Sequence, residues 1–137
     1  MKDPQKRKVY DWEESQGWDK NATTFEVCKR RIEQACQWYD VTVPEVRSHR
    51  NELSWSLPWV DVISMREDGE LNVPIALHEA AHHIVFKLRR ERVQDHGPFF
   101  FGIYLDLLER FYRSNNVLRE SARKAGIKWK EQSDDYG

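Results

Sequence analysis

The sequence is short of several things, and each shortage excludes a class of protein. No run of 18 apolar residues occurs in its 137 residues, so no segment reads as a membrane-spanning helix. Charge of either sign has no surplus: 22 Lys and Arg stand against 23 Asp and Glu, a net of −1. That balance does not support a broadly basic nucleic-acid surface; only a local patch would serve a nucleic acid. The charged start, Met1 to Lys8, has no apolar stretch behind it and does not read as a secretory signal. Cysteine is scarce. Cys28 and Cys36 stand eight apart in a helical pattern, roughly 12 Å along the axis, too far to bridge within that helix. No C-x-x-C pair occurs, so both read as reduced thiols, which places the chain in the cytoplasm.

What is present is enough to build a core. Six Trp, five Tyr and six Phe accompany 39% hydrophobic residues. A chain of this length buries about two thirds of its unfolded surface without staples. Residues 1–20 read as a lead-in whose Tyr10 and Trp12 dock on the body, with a break at Gln16-Gly17. Thr23-x-x-Glu26 fits a capping box, and Phe25, Ile32, Ala35, Cys36 and Tyr39 predict a helix over about 23–39. Pro44 ends any continuation.

From 45 to 73 the pattern predicts strands. Val46, His49 and Trp55 to Leu57 are weak signals, and the β-branched run from Trp59 to Met65 is stronger. Glu67-Asp68-Gly69 reads as a turn in which Gly supplies a positive φ, with a short return strand from Glu70 to Val73. Asn72 or Val73 then caps a helix with Pro74 in its first turn. Leu77, Ala81, Ile84, Val85 and Leu88 form its apolar stripe, and Lys87, Arg89, Arg90 and Arg92 crowd its end. After a loop, Pro98 opens a helix to about 113 that is apolar on nearly every face and is expected at the centre of the core. Asn115 or Asn116 caps a last helix that Gly126 ends, and residues 131–137 read as a frayed tail.

The chemistry lies in His78-Glu79-Ala80-Ala81-His82. This is H-E-x-x-H on a predicted helix, and four of the five histidines fall within residues 78–96. Two His four apart share one helical face, so both imidazoles can reach one metal ion. Glu79 lies about 100° round and can reach a water there without ligating. A catalytic zinc takes three protein ligands and keeps one position open. His96, after the loop and beside Gly97, is the expected third ligand. Asp106 and Glu109 on the next helix are the rival donors, more than two turns from its start. His83 points about 100° from His82 and reads as a packing or exposed residue rather than a ligand. Asp95 is a candidate to orient the His96 ring, set against a plain solvated acid. Tyr104 is a candidate oxyanion donor, set against a buried core tyrosine. Lys6-Arg7-Lys8 and Arg89-Arg90 read as solvated faces rather than phosphate contacts.

His78-Glu79-x-x-His82 followed by His96-Gly97-Pro98-x-Phe100 resembles the SprT/Spartan-like zinc metallopeptidases. A closer likeness is to small bacterial and phage metallohydrolases of about this length. Their N-terminal R-x-x-V-Y-x-W-E resembles Arg7 to Glu13, with a one-residue shift, and their H-E-x-A-H-H resembles His78 to His83. The likeness spans about residues 78–108 and, loosely, the N-terminus. Phe99 stands where that family commonly carries an acidic residue. The resemblance implies Zn²⁺, Glu79 as general base, and a zincin-like α+β domain over 21–130. In that domain a small twisted sheet of about three strands packs on the H-E-x-x-H helix and a buried following helix.

Together these features predict a zinc metallopeptidase acting on a protein or peptide substrate, bound as an added strand along residues 59–65 or 70–73. Two alternatives stay open: a metal hydrolase acting on a nucleic acid or small amide, and a zinc-binding interaction module without catalysis. A nuclease wants a basic groove, which the charge balance does not promise.

Overall fold

The computed structural model describes residues 2–69, 71–89, 95–113 and 116–131. Within them lie five α-helices and a three-stranded mixed sheet, an α+β arrangement. None of these helices is long and apolar enough to cross a membrane.

Helix α1 (Lys6–Ser15) occupies the stretch read from sequence as a lead-in. Ten residues make a marginal helix alone, so tertiary burial has to hold it. Val9 and Trp12, three apart, are both buried. Trp12 meets Trp18 and Phe101 edge-on, with ring centroids at 5.4 and 5.2 Å. Its indole N–H donates to Ser121 Oγ at 2.8 Å. Trp12 thus docks as expected, whereas Tyr10 stays 41% exposed.

Helix α2 (Phe25–Trp38) starts one residue later than the capping box suggests. Its cap is Thr24, whose hydroxyl accepts from the Val27 N–H at 3.2 Å. Cys28, Ile32, Ala35 and Cys36 form its buried stripe.

Strands β1 (Glu45–His49), β2 (Trp55–Leu57) and β3 (Val62–Arg66) assemble in the order β1-β3-β2. β1 runs parallel to β3 and β2 antiparallel to it, with Val46 and Ser56 both opposite Ile63. A central strand covered on both faces needs a continuous apolar run, and β3 is buried from Val62 through Met65. The run predicted from Trp59 begins only at Val62. Pro58 opens a single 3₁₀ turn to Val60, and Asp61 reverses the chain at φ 55°. Trp59 and Val60 are left exposed.

The turn at Glu67 to Gly69 forms, but Gly69 does not adopt a positive φ. A Cβ there would come within 3.0 Å of Arg66 Cδ, so a larger residue would have to push that side chain aside. The predicted return strand is not formed at Leu71 and Asn72, and Glu70 lies outside the described residues. Leu71 instead gives its carbonyl to the Thr23 N–H at 2.7 Å.

Asn72 caps helix α3 (Val73–Arg89), its Oδ1 accepting from the Ile75 N–H at 2.9 Å. α3 packs on α2, on helix α4 (Pro98–Phe111) and on the sheet, so it is the hub of the core. Of the basic residues predicted at its end, Arg90 and Arg92 lie outside the described residues, as do Val93 and Gln94 of the following loop. α4 is the expected central helix, buried continuously from Phe100 through Leu105. It stops at Phe111 rather than near 113.

Helix α5 (Val117–Lys124) starts after Asn116, with no side-chain cap bond. It ends in a glycine cap: the Gly126 N–H donates to Arg123 O and the Ile127 N–H to Ala122 O, with Gly126 at φ 78°. Ile127 is buried, and Lys130 N–H donates to Pro98 O, returning the chain to the start of α4. Asn115 and residues 132–137 of the expected tail lie outside the described residues.

Both cysteines are free and fully buried. Burial pushes the Cys28 thiol up to about 11 and the Cys36 thiol to about 12. Both therefore stay protonated at neutral pH, where only a thiolate would react. An unfolded thiol titrates near 9.0, so above that pH the folded chain holds more protons than the unfolded one. This contribution to stability is complete below pH 9 and declines as pH rises toward the folded values. We expect neither cysteine to react with Ellman's reagent in the native chain at neutral pH, and both to react at once after unfolding. Prompt modification of the native chain would contradict this packing.

Candidate metal centre

Helix α3 carries His78, Glu79 and His82. Its following loop and the α4 start carry His96. These elements pack on each other, and the three histidines converge: their donor atoms all lie within 4.8 Å of one another, the one such cluster among the described residues. His78 and His96 are buried and His82 is half-buried. The Nε2 atoms of His78 and His82 are 3.2 Å apart. Two nitrogens on a tetrahedral zinc with arms of about 2.0–2.1 Å would stand about 3.3–3.4 Å apart, so this pair is already at the spacing of a shared ion.

Each outer ring nitrogen explains why the inner one faces the cluster. His78 Nδ1 lies 2.6 Å from Glu13 Oε2, and His96 Nδ1 lies 2.7 Å from Asp3 Oδ2. A carboxylate only accepts, so each Nδ1 carries a proton, and in the neutral ring the lone pair is then on Nε2. The Nε2 of His96 is buried with no hydrogen-bond partner. Leaving a buried acceptor unpaired costs on the order of 1–3 kcal/mol. A cation among three imidazole lone pairs would satisfy it, so the residues present fit a divalent metal of the borderline-soft kind.

The carboxylates come from the N-terminus. Asp3 spends one oxygen on the His96 ring and the other on the His96 N–H, at 3.1 Å. Gln5 donates from Nε2 to the carbonyls of His96 and Lys128. Glu13 Oε2 also accepts from the Tyr104 hydroxyl at 2.6 Å. Asp3, Gln5 and Glu13 are not among the site residues expected from sequence. The available signal was the spacing of Gln5, Val9, Trp12 and Glu13, one face of a helix aimed at the body. Asp95, the sequence candidate for orienting His96, is exposed, and Asp3 takes that place.

The other candidates separate cleanly. His83 turns to the opposite side of α3, where its Nε2 donates to Thr42 O at 2.7 Å; it is a packing residue as expected. Tyr104 is fully buried and committed to Glu13, which removes it as an oxyanion donor. Asp106 accepts from the Tyr39 hydroxyl and Arg110, and Glu109 pairs with Arg119, so neither rival carboxylate joins the histidines. Arg7 pairs with Asp11 and Lys6 lies over the Tyr10 ring, solvated surface as expected. Phe100 stacks on His82 with centroids 4.4 Å apart and meets His78 and His96 edge-on, an apolar floor beneath all three rings.

Burial opposes protonation of His82 and His96 and holds both below the ordinary imidazole value. At His78 burial is outweighed by the charge and hydrogen bond of Glu13, and the net shift is upward. Burial pushes the Glu79 carboxyl up to about 7, against the pull of His78 and with the push of Glu13. His78 and Glu79 open onto a cleft of about 850 Å³ that Tyr10, Glu13, Leu53 and Ile75 also line. That volume suits a ligand of several residues rather than an ion alone.

No protein-family model matches the chain, no curated protein matches its sequence, and no solved structure matches its fold.

We expect His96→Ala to lower the affinity for zinc by more than the 10- to 100-fold typical of losing an outer partner, because it deletes a ligand. Chelator competition followed by elemental analysis measures it. Unchanged zinc retention would exclude His96 as a ligand.

Proposed function

We propose that the chain is a zinc-dependent metallohydrolase of zincin-like architecture that cleaves peptide bonds. One observation carries the reading: three imidazoles converge, one of them, His78, lines an 850 Å³ cleft together with Glu79, and no fourth donor joins them among the described residues. A structural zinc closes its shell with a fourth protein ligand; a catalytic one leaves a position for the reacting molecule.

His78, His82 and His96 would hold the ion, which when bound supplies Lewis acidity, bringing water toward a pKa of about 7 and polarising a carbonyl oxygen. Glu79 sits one residue from His78, on the cleft side and outside the ligand set. It takes the proton from the attacking water as the C–O bond forms, and returns it to the departing amine as the C–N bond breaks. Phe100 beneath the rings excludes water from the far side.

Among the described residues β1 and β2 are the edge strands, and of the two only β2 adjoins residues that line the cleft. β3 is paired along both edges, so the predicted strand 59–65 cannot take another strand. The free edge of β2 continues from Leu53 and Ser54, which line the cleft, and this edge would hold the substrate by main-chain bonds. Free, buried thiols accord with a reducing compartment such as the cytoplasm.

The test is Glu79→Gln. The amide is nearly isosteric, so zinc content and fold should persist, while hydrolysis of an unfolded protein substrate falls by about 10² to 10⁴. Loss of zinc in this variant would make Glu79 a ligand and the site structural. Full activity in it would remove Glu79 as the base.

A further inference from the structure

Two of the three converging histidines are held from behind by the same short N-terminal segment. Asp3 holds His96 through two bonds, and Glu13 holds His78 while accepting from Tyr104. Tyr10 lies between them on α1, its ring 16° from parallel to His78 and edge-on to His96 at 5.0 Å. Gln5 adds the carbonyl of His96.

The rest of the segment's anchorage is the burial of Val9 and Trp12 and a few side-chain hydrogen bonds, not backbone pairing. Among the described residues, no backbone–backbone hydrogen bond joins residues 2–16 to the rest of the chain; those they make are local, such as Val9 N–H to Gln5 O. Beyond the contacts to the ligands and to Tyr104, its side-chain hydrogen bonds to the body are those of Gln5 to Lys128, of Trp12 to Ser121 and of Gln16 to Ser121. Val9 and Trp12 supply the apolar burial.

We infer that metal binding and docking of α1 are one coupled event, with Asp3 and Glu13 as the positioning residues that link them. The link is the form of the imidazole ring. A cation on Nε2 requires the lone pair there and the proton on Nδ1. Of the two neutral tautomers, a carboxylate on Nδ1 selects the same one. In the other neutral tautomer the Nδ1 lone pair would face a carboxylate oxygen at 2.6–2.7 Å, a repulsive contact that favours undocking. Each event therefore selects the ring that the other needs, at two histidines at once. Linkage makes the effect reciprocal: the factor by which docking raises metal affinity is the factor by which metal favours docking. The inference rests on the metal-site part of the proposed function and not on hydrolysis.

The probe is zinc alone, with two readouts: amide hydrogen exchange of Lys6 to Ser15 with and without zinc, and zinc affinity by chelator competition. We expect zinc to slow exchange in α1 by about 10- to 100-fold, the range of an outer-partner effect. Asp3→Asn and Glu13→Gln should each bind zinc about 10- to 100-fold more weakly, and zinc should protect α1 less in both. Arg119→Ala removes the ion pairs to Glu109 and Glu131, away from the cluster. It should lower Tm yet leave zinc affinity within about twofold, which separates positioning from general loosening. If a carboxylate variant does not fold, exchange on the native chain decides alone. Unchanged α1 exchange on zinc addition overturns the inference, as does native-like zinc affinity in both variants or a native chain that binds no zinc. A chain that binds zinc, protects α1 and hydrolyses nothing would refute the proposed function and leave the coupling standing.

Discussion

The carboxylate–imidazole pair is the interaction on which the rest of this structure depends. Without Glu13 and Asp3, nothing would fix which nitrogen of His78 and His96 turns inward. With them, two Nε2 lone pairs are aimed at a third ring, His82, whose own position is set by the helical turn it shares with His78. The arrangement is costly by itself: His96 leaves a buried nitrogen unpartnered, and burial disfavours charge on His82. A native fold keeps such a cost where it serves a function.

The architecture follows from presenting that cluster. α3 is the hub because it must meet α2, α4 and the sheet while showing His78, Glu79 and His82 to one cleft. Ala80 and Ala81, both fully buried, let it approach its neighbours closely at that level. α4 brings Phe100 under the rings and its preceding loop brings His96. Trp12, Phe101 and Tyr104 meet edge-on, so α1 is seated on α4 by aromatic contact next to the carboxylate that serves His78. Core and site share residues here; Tyr104 is both a buried tyrosine and the hydroxyl that holds Glu13.

How much of this was legible in the sequence depends on how local the cause is. H-E-x-x-H is a one-turn relation, and it shows α3, two donors and the position of Glu79 directly. His96 was legible because a loop and Gly97 return the chain at the next helix. α2 and α4 announce themselves by long apolar stripes. The sheet was harder. Pro58 and Asp61 interrupt a β-branched run, and the parallel pairing of β1 with β3 across β2 leaves no periodic trace. Asp3 and Glu13 were the least legible. Each acts on a histidine 93 or 65 residues away, and an acid in a charged N-terminal stretch looks like any solvated acid. The spacing of Gln5, Val9, Trp12 and Glu13 was the local sign that the stretch has an inner face.

The proposed function requires a three-imidazole centre with one position left for chemistry. X-ray absorption at the zinc edge of the zinc-loaded native chain tests it most directly. The account predicts one zinc per chain, three imidazole nitrogens at about 2.0–2.1 Å and a fourth light atom from outside the protein. A first shell containing sulfur, a fourth protein ligand or fewer than three imidazoles would contradict it.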